Sequence, residues 1–409
     1  MNVLFVSLEF LIPPDRGLRV RSLSQLRLLC SLDAIESVTF VSLRDGPIDR
    51  ERTRALEREL PKVRVVDAVF QPIHMRKHPR YVPRLLRLRV LGRLPYLIAK
   101  CDNPEMRALL ARELEGGKCD VVYFGYLGMT SYVRDARRLA PGARVVLEEH
   151  NVEWRIFDTL AGAVEGPMRH LWKLEAAALR AYERRTLREV DAVIAISDAD
   201  GRELRAFSGV EPIVISPVCE PRASRIETTS APRLAYLGHL AWQPNVYGLD
   251  WFCREVWPKV RGLVPGVTLT IAGSGLKREG GELVVPPAWR LPGITTLGYV
   301  ECLDDLFRDS TVMIAPVVGG SGVRMKLLEA MSAGMPTVTT VDGAAGLDVV
   351  DGREVLIADD PRAYADKIVQ ALGDAGLRDR LRAAGYDFLR AHHSTLVAKK
   401  SLERALGVR

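Results

Sequence analysis

Short runs of β-branched and apolar residues recur along the chain, separated by longer amphipathic stretches. In the first half the runs are Val3–Ser7, Val38–Val41, Val63–Val66, Val121–Phe124, Arg144–Leu147 and Ala192–Ile196, each predicting a strand. Between them, Ser22–Leu32, Thr53–Leu60 and Pro104–Leu114 carry apolar residues at helical spacing. Alternation of this kind predicts βαβ units and a parallel, doubly wound sheet. The pattern pauses over Pro217–Pro232, which is rich in Pro, Ser and Thr and reads as a linker. It resumes with strands over Leu234–Leu237, Thr268–Ile271, Ile294–Leu297, Val312–Ala315, Thr337–Val341 and Val355–Ile357, and helices over Val246–Val256 and Ala363–Leu372. The chain therefore reads as two α/β domains in tandem, residues 1–217 and 231–390, followed by a basic helix over Ser394–Leu406. Open α/β sheets bind ligands beyond the carboxyl ends of their strands. Two such domains facing one another would enclose a cleft there, so the loops after strands are the places to look for chemistry.

Composition narrows the class. The 409 residues are 47% hydrophobic and 27% charged, as in an ordinary globular protein. Apolar runs stop well short of the roughly 18–20 residues of a membrane span. Met1–Glu9 has neither a basic start nor a small-residue cleavage site, so no secretory leader is expected. Six scattered cysteines without a C-x-x-C pair suit reduced thiols in a cytoplasmic protein. The net charge of +7 is concentrated: Ala68–Cys101 contains no Asp or Glu but holds Arg76, Lys77, Arg80, Arg84, Arg87, Arg89, Arg93 and Lys100. This stretch, 76–100, suits an anionic partner such as a membrane surface. No nucleic-acid recognition module accompanies it, so nucleic acid is not expected as a partner.

The most informative segment is Ala315–Pro336. It follows a strand, turns through Gly319, Gly320, Ser321 and Gly322, and enters a helix pattern from Val323 to Ala333, with Gly334 placed to end it. A Gly-rich turn opening a helix presents backbone N–H groups and a positive dipole end, which suits phosphate. Arg324 and Lys326 add two cations there. Glu329 is spaced to accept the two hydroxyls of a ribose, or to pair with Lys326 on the surface. In the first half, Gly17 precedes the helix after the first strand, and His150 follows the strand Arg144–Leu147. Neither Gly17 nor Gly273-Ser274-Gly275 completes G-x-G-x-x-G, which disfavours a dehydrogenase. The histidines show no metal-ligand spacing.

Gly-Ser-Gly-Val-Arg-Met-Lys-Leu-Leu-Glu-Ala-Met-Ser-Ala-Gly-Met-Pro, ending at Pro336, resembles the signature of family 4 retaining glycosyltransferases with the GT-B fold. The resemblance extends to Pro13–Arg21, Glu148–Trp154, Ile196–Asp200, Tyr236–His239, Trp242–Asn245, Gly298–Val300 and Ala344–Leu347. It implies two Rossmann-like domains, with the C-terminal helix 391–409 packing back on the first. It also implies a nucleotide-sugar donor on the second domain and the acceptor on the first. By position it puts Arg324 and Lys326 on the donor diphosphate, Glu329 on the ribose, the Val300 backbone on the base and Gly17 beside the phosphate. His150 would reach the donor sugar or acceptor, and backbone around Ser321, Gly322 and Val323 would hold the sugar. Two positions depart from the common family pattern: Ser321 stands where a Glu usually touches the sugar, and Leu18 where a second glycine usually follows Gly17.

The resemblance thus implies metal-independent glycosyl transfer, with retention, from a nucleoside-diphosphate sugar to a hydroxyl of a glycan, lipid-linked or small-molecule acceptor. No cofactor is expected. The location expected is cytoplasmic, with peripheral attachment to the inner membrane face through 76–100. The alternatives are a sugar-nucleotide epimerase of the same fold and a catalytically silent nucleotide-sugar-binding protein.

Overall fold

The computed structural model describes residues 1–14, 17–44, 49–66, 69–70, 94–162, 165–223, 226–319 and 323–408. Ser321, Gly322 and the 76–93 part of the basic stretch lie outside the described residues. The chain divides into two compact units, Met1–Ser216 with Ala398–Arg409, and Pro217–Val397. Both are doubly wound α/β units, as the alternation of strand and helix patterns predicts.

The first unit is built on β1 (Asn2–Ser7), β2 (Ser37–Arg44), β3 (Val63–Val65), β4 (Val69–Phe70), β5 (Val121–Phe124), β6 (Arg144–Glu149), β7 (Ala192–Ala195) and β8 (Ile213–Val214). Their order is β3-β2-β1-β5-β6-β7-β8, with β4 pairing β2, and every pairing is parallel. Helices cover both faces, so β5 and β7 are buried at every position and read as unbroken apolar runs. Phe5 stacks on Tyr123 at 4.8 Å and on Phe40 at 5.8 Å, tying the three central strands together. The helix Pro104–Leu114 starts as its sequence dictates: Asn103 accepts from the Glu105 N–H, with Pro104 in the first turn. The longest helix, Pro167–Glu189, is hard to find from periodicity because two positions on its buried side are Glu175 and Glu183. Ala398–Arg409 is fastened to this unit by the Arg144 Nε bond to the Ala405 carbonyl (2.7 Å) and the Lys399 bond to the Ser31 carbonyl (2.9 Å).

The second unit contains β9 (Arg233–Leu237), β10 (Thr268–Ala272), β11 (Arg278–Glu279), β12 (Glu282–Leu283), β13 (Ile294–Gly298), β14 (Val312–Ala315), β15 (Thr337–Thr339) and β16 (Leu356–Ile357). The main sheet runs β13-β10-β9-β14-β15-β16, all parallel, and β11–β12 is a separate antiparallel hairpin. Its core gathers Trp257, Trp289, Phe252 and Tyr364, all fully buried.

Three sequence expectations shift. The strand expected over Thr337–Val341 stops at Thr339, because the Thr340 hydroxyl accepts from the Gly343 N–H and caps a short helix starting at Val341. The helix expected over Val246–Val256 begins earlier, at Gln243, and passes through a π turn at Phe252–Val256 into Trp257–Leu263. The described residues of 217–232 form no helix or strand, as the composition predicts, yet they belong to the second unit. Cys219 N donates to His393 O (2.8 Å), Arg222 N to Ser332 O (2.9 Å) and Thr229 N to Arg308 O (3.0 Å).

Candidate functional site

Because the second sheet is parallel, β9, β10, β13 and β14 deliver their following loops to one edge. The strand order reverses between β9 and β14, the position at which such sheets bind ligands. The helix Met325–Ser332 follows the turn after β14, and its buried Leu327, Leu328 and Met331 seat it on the unit. It ends as the sequence predicts: Gly334 adopts φ +70, and a side chain there would meet Tyr386 Oη at 2.5 Å.

Seating this helix carries Lys326 inward. Its Nζ donates to Asn245 Oδ1 (2.7 Å) and Tyr236 Oη (3.1 Å), and lies 4.7 Å from the Tyr236 ring centre. Both partner residues are uncharged. Burial, with Arg324 beside it, pulls the Lys326 ammonium down to about 7. A side chain on Gly238 would meet Tyr236 Oη at 2.7 Å and Lys326 Nζ at 3.0 Å, so the loop after β9 closes directly over the ammonium.

Arg324 caps the helix start and is 4% exposed. Its guanidinium donates to the Gly319 carbonyl (3.0 Å) and the Asp342 carbonyl (3.2 and 3.3 Å), and lies 5.4 Å from the Trp242 ring centre. Burial works against its charge and the Asp342 carboxylate works for it. Two cations thus sit together at the reversal point. Met325 N and Leu327 N already donate to Val323 O (3.1 Å) and Arg324 O (2.9 Å). The attraction offered to an anion here therefore comes mainly from side chains, less from open helix N–H groups.

Glu329 does not pair with Lys326. Its Oε2 lies 3.5 Å from Arg222 Nη2, and Arg222 also contacts Asp304. Val323 is half-buried against Leu327 and its neighbours. Val300 follows β13 and packs on Ala235, Ala272 and Leu306 at the same sheet edge. Sequence reasoning assigned no role to Tyr236, Asn245, Trp242, Asp342 or Arg222. Tyr236 and the Trp242–Asn245 segment do stand in quoted motif segments, which is the signal that pointed to them.

In the first unit, His150 directly follows β6 and is 7% exposed. Burial lowers its affinity for a proton, so the imidazole is neutral at pH 7. A hydrogen bond to the Gly125 backbone holds one ring nitrogen, and the buried Nε2 has no partner among the described residues. Strand alternation sends the two preceding carboxylates to opposite faces. Glu148 binds Arg21 Nε (2.6 Å) and the Tyr123 hydroxyl (2.8 Å). Glu149 lies instead with Glu153 and Glu183, and neither of its oxygens has a hydrogen-bond partner among the described residues. Burial pushes Glu153 up to about 7, and burial with Glu153 nearby pushes Glu183 up to about 8. Gly17 opens the helix Gly17–Cys30 with empty space where a side chain would stand, while Leu18 packs partly buried on the apolar core.

Comparison with known proteins bears on what these sites do. Residues 16–219 match the family description "Glycosyl transferase 4-like domain", and residues 231–374 match "Glycosyl transferases group 1". The phosphatidyl-myo-inositol mannosyltransferase of Mycobacterium leprae is 32% identical over 154 residues, which is 36% of this chain and 39% of that protein. The glycogen synthase of Mycobacterium tuberculosis is 29% identical over 187 residues, 43% of each. The chain thus spans less than half the length of these curated relatives. Among solved structures, the apo lipopolysaccharide outer core galactosyltransferase WaaB has a TM-score of 0.64 at 13% identity, covering 100% of this chain and 99% of that one. Anabaena HepE, in complex with UDP and glucose, has a TM-score of 0.61 at 14% identity, covering both chains fully. At such identities the structural likeness shows a shared fold.

Proposed function

The chain belongs to the group 1 glycosyltransferase family, and on that premise we propose that it transfers a sugar, with retention, from a nucleoside-diphosphate sugar to a hydroxyl acceptor without requiring a metal. The observation that carries this reading is the pair of cations, the buried Arg324 and the half-buried Lys326, where the second sheet reverses its strand order.

The bond between the anomeric carbon and the diphosphate oxygen breaks, and the acceptor oxygen bonds to that carbon from the same face. The acceptor proton passes to the departing phosphate. Negative charge develops on the diphosphate, and preorganised cations in a dry site stabilise it most effectively. Arg324 and Lys326 supply them. Glu329 takes the ribose hydroxyls, the Val300 backbone the base, and Gly17 leaves room beside the phosphate. His150 is assigned to the sugar or acceptor, where its buried, unpartnered Nε2 can accept a hydrogen bond. Backbone around Ser321, Gly322 and Val323 is assigned to the donor sugar. That a relative is named a phosphatidyl-myo-inositol mannosyltransferase and that residues 76–100 are strongly basic support a lipid-linked acceptor met at the cytoplasmic membrane face. Among the described residues, no helix is long and apolar enough to cross a membrane.

The test is calorimetry and thermal shift with a panel of nucleotide sugars in EDTA, with Arg324→Ala and Glu329→Ala as controls. One donor should bind, and both variants should bind it more weakly. Product configuration, read by NMR after an acceptor screen, decides retention. Epimerised free donor with no acceptor product would favour the epimerase instead. Binding with neither outcome would favour a silent binder.

A further inference from the structure

Glu329 projects from the helix Met325–Ser332 with a side chain that is 38% exposed. A glutamate has three rotatable side-chain bonds, and ordering it for a ligand costs entropy unless something else holds it. That something is Arg222, which reaches Glu329 Oε2 at 3.5 Å from the Pro-, Ser- and Thr-rich segment ahead of β9.

Arg222 is itself firmly placed. Its backbone N–H donates to the Ser332 carbonyl at the end of the same helix (2.9 Å), and the Ser332 hydroxyl donates back to the Glu220 carbonyl (2.6 Å). Its guanidinium lies 5.7 Å from the ring centre of the fully buried Phe307 and also contacts Asp304. Arg222 therefore bridges two carboxylates. Without it, Asp304 and Glu329 would face each other uncompensated and Glu329 would swing away. Among the described residues, Glu329 Oε1 has no protein hydrogen-bond partner, and the side chain remains 38% exposed. One oxygen is anchored and the other is available.

We infer that Arg222 is a positioning residue for nucleotide binding, acting only through Glu329 on the ribose hydroxyls. The inference rests on the assignment of Glu329 to the ribose made above.

The experiment measures calorimetric affinity for whichever of UDP, GDP and ADP binds best, and for its 2′,3′-dideoxy analogue. Arg222→Ala should weaken the ribonucleotide about fivefold, the scale of a partly exposed ion pair, and leave the dideoxy analogue within about twofold. Arg222→Lys, which keeps a charge there, should recover most of the loss. Arg222→Met, which keeps the apolar stem on Phe307, should not. Adding Arg222→Ala to Glu329→Ala should cost nothing further. Equal loss on both nucleotides would mean a general structural role and overturn the inference. So would an unaffected Arg222→Ala beside an impaired Glu329→Ala. If Glu329→Ala itself binds the ribonucleotide normally, the ribose assignment fails first and the inference falls with it. Failure of the unsubstituted protein to bind any of the three diphosphates overturns both. Melting curves identify a variant that does not fold, in which case the Lys and Met variants decide.

Discussion

The Lys326 ammonium donates to Asn245 Oδ1 at 2.7 Å, joining residues 81 apart in the chain. The helix after β14 is thereby tied to the helix after β9, across the reversal of strand order. The partner is a neutral amide, so the ammonium is held in place without being neutralised. Such a group is primed for an anion, and this has consequences that can be measured.

A diphosphate should raise the proton affinity of Lys326, so binding should take up a proton. Affinity should fall as pH rises above about 7, the value to which burial brings the free ammonium. Stability should change in the opposite sense. From about pH 7 to 10.5 the unfolded chain holds this proton and the folded chain does not, so Lys326 makes stability rise with pH across that window. Calorimetry in buffers of different ionisation enthalpy should show the uptake, and Lys326→Met should abolish both the uptake and the pH-dependent gain in stability.

Two glycines beside this site should respond differently to alanine. At Gly238 the three atoms nearest the added methyl are side-chain ends, those of Tyr236, Lys326 and Asn245. Gly238→Ala should cost about 1 kcal/mol of stability and weaken diphosphate binding clearly, because it displaces the ammonium. At Gly273, with φ +150, the methyl would lie 1.6 Å from the Gly238 carbonyl oxygen. Gly273→Ala should destabilise by more than about 3 kcal/mol. Urea melts and calorimetry on the two variants check the contrast.

The buried carboxyls of the first unit should act with the opposite sign to Lys326. Glu153 and Glu183 keep their protons to about 7 and 8 when folded, well above the 4.5 of an ordinary glutamate. The folded chain therefore holds more protons than the unfolded one between about pH 4.5 and 8, and their contribution to stability falls as pH rises through that range. Glu183→Gln should flatten the fall. Melting temperatures at half-unit steps from pH 5 to 8 measure it, and an unchanged slope in the variant would contradict the expectation.

Arg324→Ala should lower kcat/KM for transfer by about a hundredfold, in line with removal of one preorganised charge-stabilising group. EDTA should leave the rate of the unsubstituted enzyme unchanged. A rate abolished by EDTA and restored by a divalent ion would show that the two cations do not suffice.

Much of the site was readable along the chain because it is local. Arg324, Lys326 and Glu329 follow a Gly-rich turn after a strand, and helical spacing places them within two turns. Locality did not identify the partner of Glu329, since i,i+3 spacing left a surface pair with Lys326 open beside the ribose role. The helix turns Lys326 into the interior, and Arg222 arrives from a segment without periodicity. Glu149, Glu153 and Glu183 show the limit from the other side. A glutamate in an amphipathic helix reads as solvated, and only the packing of Pro167–Glu189 makes Glu183 a buried group.

The amino-acid sequence by itself determined the alternation of strand and helix, the pause near residue 217 and the turn that carries Arg324 and Lys326. These follow from apolar spacing, turn residues and capping, which act over a few residues at a time. The tertiary structure alone decided strand order, and through it which loops share an edge. It also decided that Lys326 turns onto Tyr236 and Asn245, that Arg222 reaches Glu329, and that Glu149, Glu153 and Glu183 are buried together. Desolvation and long-range pairing depend on what distant segments bring to a point, and no local pattern records that.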